Sequence, residues 1–388
     1  KRDVMGVLRP VYRLFLPPGI VLNALNRILQ MPVVTAVVQA IYWCLLCLAT
    51  ALFAPVMLLA GVLEVCSKLC ATETPRAERA HLAVVITGCD SGFGKALAHE
   101  LLDRGYTVFA GCLYPPAPNT SAGLRLHAFK MDVTSDTEVN AAEKRVSDWV
   151  DELSERRLLA VVNNAGVGVG GMFDWIPLSG FERDAAINYI GCVRVCRAFL
   201  PLLRKSALVS KSSGRAAPRI MVVSSMSGKL PVPLLSSYSA TKHAVTAFAA
   251  SLRMELSAIW GIHVCTVLPS FHRTPLTESG DSVVKRVWEA APTSIKLLYG
   301  EECATSCFGL AKDMMSDLAW DPVRVTEAVT RVVSQESPPP CELVVGSDAL
   351  FGLCAVRHLP PAIYEKLIWW AVAWNLVKPN TSSKAKED

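Results

Sequence analysis

Residues 82–94 read LAVVITGCDSGFG, and the fold follows from them. The first six are apolar or β-branched, carry no charge and show no period-two alternation, which suits a strand buried on both faces. Thr87-Gly88-Cys89-Asp90-Ser91-Gly92-Phe93-Gly94 then sets three glycines between that strand and a helical pattern running to about Arg104. Glycine lets the backbone turn sharply and approach a pyrophosphate, while the helix start offers free N–H groups and the positive end of its dipole. A glycine string alone says little, but the strand-turn-helix context gives it meaning, although the spacing is GxxxGxG and not GxGxxG. On this reading Gly88, Asp90, Ser91, Gly92, Phe93 and Gly94 contact a dinucleotide.

Outward from this unit the pattern repeats. Apolar runs at 106–112, 124–133, 158–164, 218–225, 262–269 and 341–346 read as strands. Amphipathic stretches at 136–153, 182–205, 236–259 and 322–334 read as helices, the last opened by Asp321 and Pro322. This alternation predicts an α/β fold, a Rossmann-type doubly wound parallel sheet with helices on both faces. The domain spans 82–348, and 71–81 reads as a polar linker. Regularity fails after Pro269, so 270–318 is expected to be an irregular apolar insertion that binds substrate.

Composition adds an expectation outside the sheet. Hydrophobic residues make up 52% of the 388-residue chain and charged residues 19%. The excess is concentrated, since 32–63 holds no charged side chain, which marks 32–66 as an N-terminal hydrophobic membrane segment. At ~1.5 Å per residue it makes ~50 Å of helix, read as one tilted or kinked span in preference to a hairpin. The arm 1–31 carries Lys1, Arg2, Arg9, Arg13 and Arg27, and the tail 349–388 is rich in Trp, suited to a membrane interface or a dimer contact. Membrane lipid is therefore an expected partner, most simply in the endoplasmic reticulum, with a mitochondrial membrane as the alternative. A net charge of +5 without a basic cluster excludes nucleic acid as a partner. Thirteen cysteines without zinc spacing read as small buried hydrophobes in a reducing compartment, and no metal site is expected.

Tyr238 and Lys242 stand four apart in YSATKHAVTAF and share one helix face. An ammonium beside a phenol favours the phenolate, so Lys242 is expected to lower the pKa of Tyr238 and make it an acid–base group. Ser225 closes a strand, where open α/β sheets bind ligands, and can hold a substrate oxygen.

The set resembles the short-chain dehydrogenase/reductase family. It rests on TGCDSGFG (87–94), Asp132, NNAG (163–166), Asn188 in INYIG, Ser225 in VVSSMSG and YSATK (238–242). Around the glycine turn it is similar to the branch of hydroxysteroid, retinol and 3-hydroxybutyrate dehydrogenases. The resemblance implies a tetrad of Asn188, Ser225, Tyr238 and Lys242, in which Asn188 anchors a water leading to Lys242. It also implies cofactor contacts from Asp132 to adenine, from Asn164, Ala165 and Gly166, from Tyr238 and Lys242, and from Thr274 to the carboxamide. Pro269-Ser270 departs from the usual Pro-Gly. NAD is preferred to NADP because Gly111-Cys112-Leu113-Tyr114 brings no base to the second strand end, though it brings no acid for the ribose either. The apolar insertion and the membrane segment predict a steroid or retinoid-like secondary alcohol and its ketone. A 3-hydroxybutyrate-type hydroxy acid is the alternative, and a non-catalytic dinucleotide-binding scaffold is the reading from a different class. Relatives commonly dimerise through the helices near 182–205 and 236–259, so a homodimer is a further expectation.

Overall fold

The computed structural model describes residues 72–116, 125–275, 280–316 and 319–346, together with a few positions of the C-terminal tail. The basic arm 1–31, the membrane segment 32–66 and most of the tail lie outside the described residues.

Seven parallel strands form one sheet: β1 (Leu82–Thr87), β2 (Thr107–Cys112), β3 (Leu126–Lys130), β4 (Arg157–Asn163), β5 (Arg219–Val223), β6 (His263–Pro269) and β7 (Glu342–Val345). Their spatial order is β3-β2-β1-β4-β5-β6-β7. The chain therefore reverses its direction of winding between β1 and β4, and a crevice opens at the carboxyl ends of such neighbours. All of β1, β2, β4 and β5 is buried, which explains why these strands read as unbroken apolar runs.

Helices cover both faces. On one side α2 (Asp136–Asp151), α4 (Cys192–Ser213) and α5 (Ser236–Trp260) pack Val146, Phe199 and Val245 against Val85, Val161 and Ile220. On the other α1 (Gly92–Asp103) and α8 (Val323–Ser334) set Leu97, Leu101 and Val329 on Val84, Ile86 and Val162. Each such side chain removed from water stabilises the fold by about 1.5–3 kcal/mol.

Three expectations change. The stretch 182–205 is not one regular helix: α3 (Leu178–Ala185) passes into a π-helical turn, Ala186–Gly191, before α4 begins. The insertion 270–318 is largely helical, with α6 (Gly280–Ala290) and α7 (Thr293–Ser316), the latter broken at Gly300 with φ 74°. The two pack with Trp175 and Leu234 into a third core of Val284, Trp288 and Cys303. Finally, the polar stretch before β1 is docked from Thr72 onward. Thr74 N–H donates to Ser334 O (2.9 Å), and the buried Arg79 donates to Thr74 O (2.8 Å).

Among the described residues one helical stretch, Leu178–Ser213, is long and apolar enough to cross a membrane by composition, with a mean hydropathy of 1.4. It packs on the sheet instead, with Val195, Phe199 and Leu203 wholly buried, as a core helix does. Eight cysteines among the described residues are free thiols, and all but Cys341 are buried.

Phe199 is wholly buried beneath the sheet. Phe199→Ala is expected to destabilise the protein by about 3–5 kcal/mol, read from the shift of its urea unfolding midpoint.

Candidate active site

The crevice at the β1/β4 switch is a cavity of about 520 Å³ that runs from the glycine turn to Tyr238. Its floor is set by how closely three chain segments approach. A methyl group on Gly94 would stand 2.3 Å from Gly88 O and 2.5 Å from Asn164 Nδ2, so only glycine fits. Gly88 (φ 70°) and Gly92 (φ 56°) take left-handed backbone, which glycine adopts without strain. Thr87 Oγ1 accepts from Asn164 N–H (3.0 Å) and Ala165 N–H (2.9 Å). Asn164 Nδ2 donates back to Thr87 O (2.9 Å) and Gly88 O (3.1 Å). This lattice fixes β1, β4 and the start of α1 as one unit. Ser91 stands at the N-cap of α1 without a side-chain cap bond, so the first N–H groups of the helix serve the cleft.

The acid that is missing after β2 arrives from the turn. Asp90 accepts from Leu113 N–H (3.0 Å) and Tyr114 N–H (2.8 Å), which sets its carboxylate at the end of β2. Asp132 also lines the cleft, and its Oδ1 accepts from Thr134 N–H (2.8 Å) and Thr134 Oγ1 (2.7 Å). Thr274 and Phe93 complete this wall, with Phe93 edge-on to His272 at 5.7 Å.

Tyr238, Lys242 and Ser225 come together at the other end. Ser225 caps a short turn, Met226–Gly228, where its hydroxyl accepts from Ser227 N–H (3.1 Å), and it stands beside the Tyr238 phenol. The Lys242 ammonium lies 5.5 Å from the centre of the Tyr238 ring and donates to Val223 O (2.9 Å). Gly166 leaves it space, since a methyl there would meet Lys242 Nζ at 3.4 Å.

Burial, not charge pairing, dominates the ionisation of both groups. Desolvation pushes the Tyr238 phenol up to about 12, opposed by the neighbouring Ser225 hydroxyl and reinforced by the charge of Asp184. Desolvation brings Lys242 down to about 8. The expectation that Lys242 lowers the Tyr238 pKa therefore does not hold for the protein alone. The ammonium is itself weakened by burial, though still mostly charged at neutral pH, and is turned to a backbone carbonyl. A protonated phenol aimed at the cleft can donate to a carbonyl, and it becomes a base as pH rises.

Asn188 sits in the π-helical turn, a local irregularity that often marks function. Its Oδ1 accepts from Val167 N–H (2.8 Å), while Nδ2 donates to Val167 O (2.8 Å) and Thr241 Oγ1 (2.9 Å). The side chain thus braces the β4 loop against α5. Sequence reasoning missed Val133, Arg183, Ile187 and Val223, which also line the cavity. Val133 and Val223 follow from strand-end position, but Arg183 and Ile187 arrive only through the packing of the α3 helix and its π turn.

Comparison with known proteins agrees with this geometry. A short chain dehydrogenase family profile matches residues 82–283. Mouse estradiol 17-beta-dehydrogenase 2 is 34% identical over 297 residues, covering 74% of each chain. Mouse retinol dehydrogenase 5 is 32% identical over 296 residues, covering 74% of this chain and 87% of that one. A short chain dehydrogenase/reductase from Burkholderia phymatum, solved in complex with NAD, superposes with a TM-score of 0.57 at 18% identity, covering 75% and 96%. A Burkholderia cenocepacia short chain dehydrogenase in complex with NADP gives 0.52 at 21%, covering 74% and 97%. With its glycine turn, switch-point cleft and Ser–Tyr–Lys cluster, the chain belongs to the short-chain dehydrogenase family of oxidoreductases acting on CH–OH groups.

Proposed function

We propose that this enzyme interconverts a hydrophobic alcohol, a steroid-like secondary alcohol or a retinoid-like one, and its carbonyl compound with NAD. The observation that carries the reading is that Tyr238 and Lys242 line one end of a cleft, with Ser225 beside the phenol, and a glycine turn lines the other end. Bound there, the nicotinamide supplies the carbon that accepts or returns hydride. Ser225 holds the substrate oxygen, Tyr238 carries the proton, and Lys242 stabilises the phenolate when it forms. Gly88, Ser91, Gly92, Phe93 and Gly94 hold the pyrophosphate, Asp132 meets the adenine, Asn164, Ala165 and Gly166 back the turn, and Thr274 holds the carboxamide. Asn188 braces this end through the Val167 loop, so a water leading to Lys242 would rest on its backbone and not on its engaged side chain.

Two features support the apolar substrate. An apolar lobe is built from α6 and α7 around Trp175, Val284 and Trp288, against the loop that follows β4. The chain also carries the uncharged run 32–63, which suits attachment to the membrane in which such alcohols dissolve. The readings of 3-hydroxybutyrate turnover and of a silent dinucleotide sensor become outcomes of one assay. Purified protein is given NAD with estradiol, all-trans-retinol or 3-hydroxybutyrate, and the absorbance of reduced cofactor is followed. Turnover of estradiol or retinol is expected. Turnover of the hydroxy acid alone overturns the substrate class, and NAD binding with no turnover overturns the catalytic reading. Tyr238→Phe is expected to lower the rate by roughly 10²–10⁴ while NAD affinity stays within about twofold.

The ionisation of the site sets a pH dependence. With the phenol protonated at neutral pH, alcohol oxidation requires its proton to leave and carbonyl reduction uses it in place. The kcat/KM for oxidation, measured with NAD also below saturation, is therefore expected to climb with pH and to show no plateau below about pH 9. A plateau already at pH 7 would mean that another base does this work.

Cofactor choice rests on Asp90. Its carboxylate at the end of β2 repels a 2′-phosphate at that end of the cleft. Asp90→Asn removes the charge and is expected to raise the ratio of NADP to NAD kcat/KM about tenfold or more. Wild-type protein that already prefers NADP would refute this assignment.

A further inference from the structure

The loop leaving β4 lies directly on the ring of Tyr238. A methyl group on Gly168 would stand 2.9 Å from Tyr238 Cδ2. Alternate residues of this loop turn their N–H groups inward, and each has a partner. Val167 donates to Asn188 Oδ1 (2.8 Å), Val169 to Asp184 Oδ2 (3.0 Å) and Gly171 to Leu234 O (2.9 Å). Two of these three acceptors stand four residues apart on the helix that runs through the π turn. Leu234, the third, has φ 66°, a conformation that a branched side chain rarely takes.

Asp184 does more than hold the loop. The same Oδ2 accepts from the hydroxyl of Ser237 (2.9 Å), the residue before Tyr238, in the first turn of α5. Its other oxygen pairs with the half-exposed Arg183 guanidinium (3.1 Å). The Asp184 side chain is wholly buried. A buried carboxylate is costly unless it is well provided with donors, and three donors meet this one. One group therefore joins α3, the roof over the phenol and the start of the helix that carries the phenol.

We propose that Asp184 is a positioning residue of the reaction, which sets the gap between the Val167–Gly171 loop and Tyr238 and whose charge governs the pH at which Tyr238 works. The inference rests on reading Tyr238 as the proton-transfer group. The groups that face the phenol are Ser225 from the turn after β5, Lys242 from α5 itself, and Asp184 from α3 with Arg183 partly neutralising it. The glycine loop contributes no titratable side chain. The negative charge of Asp184 raises the phenol, in the same direction as burial and against the neighbouring Ser225 hydroxyl. A carboxylate that served packing alone would leave the pH profile of the rate unmoved.

The test compares wild type with Asp184→Asn, Ser237→Ala and Tyr238→Phe in the full chain, using estradiol and all-trans-retinol as probe alcohols. Asp184→Asn keeps an acceptor for Val169 and Ser237 but removes the charge. The rise of kcat/KM with pH is expected to move to lower pH, with NAD affinity within about twofold of wild type. Ser237→Ala cuts only the tie to α5. It is expected to lower kcat about three- to tenfold, the scale of one ordinary hydrogen bond, without moving the profile. An Asp184→Asn profile that superposes on wild type overturns the proposal, as does Ser237→Ala with unchanged kcat. If Tyr238→Phe keeps full activity, the reading of Tyr238 itself fails, whatever the Asp184 variants do.

Discussion

Everything at this site depends on the close contact between the glycine turn and the end of β4. Gly94, Gly88 and Asn164 approach so nearly that no Cβ can stand between them, and Asn164 and Ala165 donate four hydrogen bonds to Thr87 and Gly88 across the gap. That contact holds the amino end of α1 at the switch point of the sheet. The N–H groups and dipole of the helix then face the cleft without any charged side chain being spent there. A larger residue at Gly94 would push the helix off the strand and open the cleft at its floor.

At the other end the chemistry is shaped by desolvation. Lys242 and the Tyr238 phenol sit where water is scarce, so the ammonium is held down to about 8 and the phenol up to about 12. These opposite shifts bring the two pKa values away from their solution order, in which both lie near 10. The result is a neutral acid beside a weakly held cation. The proton balance of such a pair responds to small changes of nearby charge, which is why a buried carboxylate one helix away has leverage.

The same economy of placement serves the cofactor end. β2 ends without an acidic residue, yet Asp90 reaches that end from the turn and satisfies two backbone N–H groups there. The side chain closes the turn onto the strand and places a negative charge at that end of the cleft. Asp132 likewise combines a local turn with a place in the cavity wall. Neither double role is separable by composition, because each residue meets the need of the backbone and of the cleft at once.

The parts of this protein determined by sequence are those in which neighbours in the chain are neighbours in space. The run LAVVIT, the glycines after it, NNAG and the spacing of Tyr238 and Lys242 are local patterns, and a strand, a turn or one helix face follows from each by period alone. The π turn at Asn188, the helical form of 280–316, the reach of Asp90 to β2 and the triple contact of Asp184 were decided only by tertiary structure. Gly300 breaks the period of α7, and a single extra residue in a helical turn leaves no mark on hydropathy. The direction of the Tyr238 shift belongs to the same group. Four-residue spacing puts a cation near the phenol, but the packed sheet and the α3 helix decide how much water remains, and in this site the loss of water outweighs the charge.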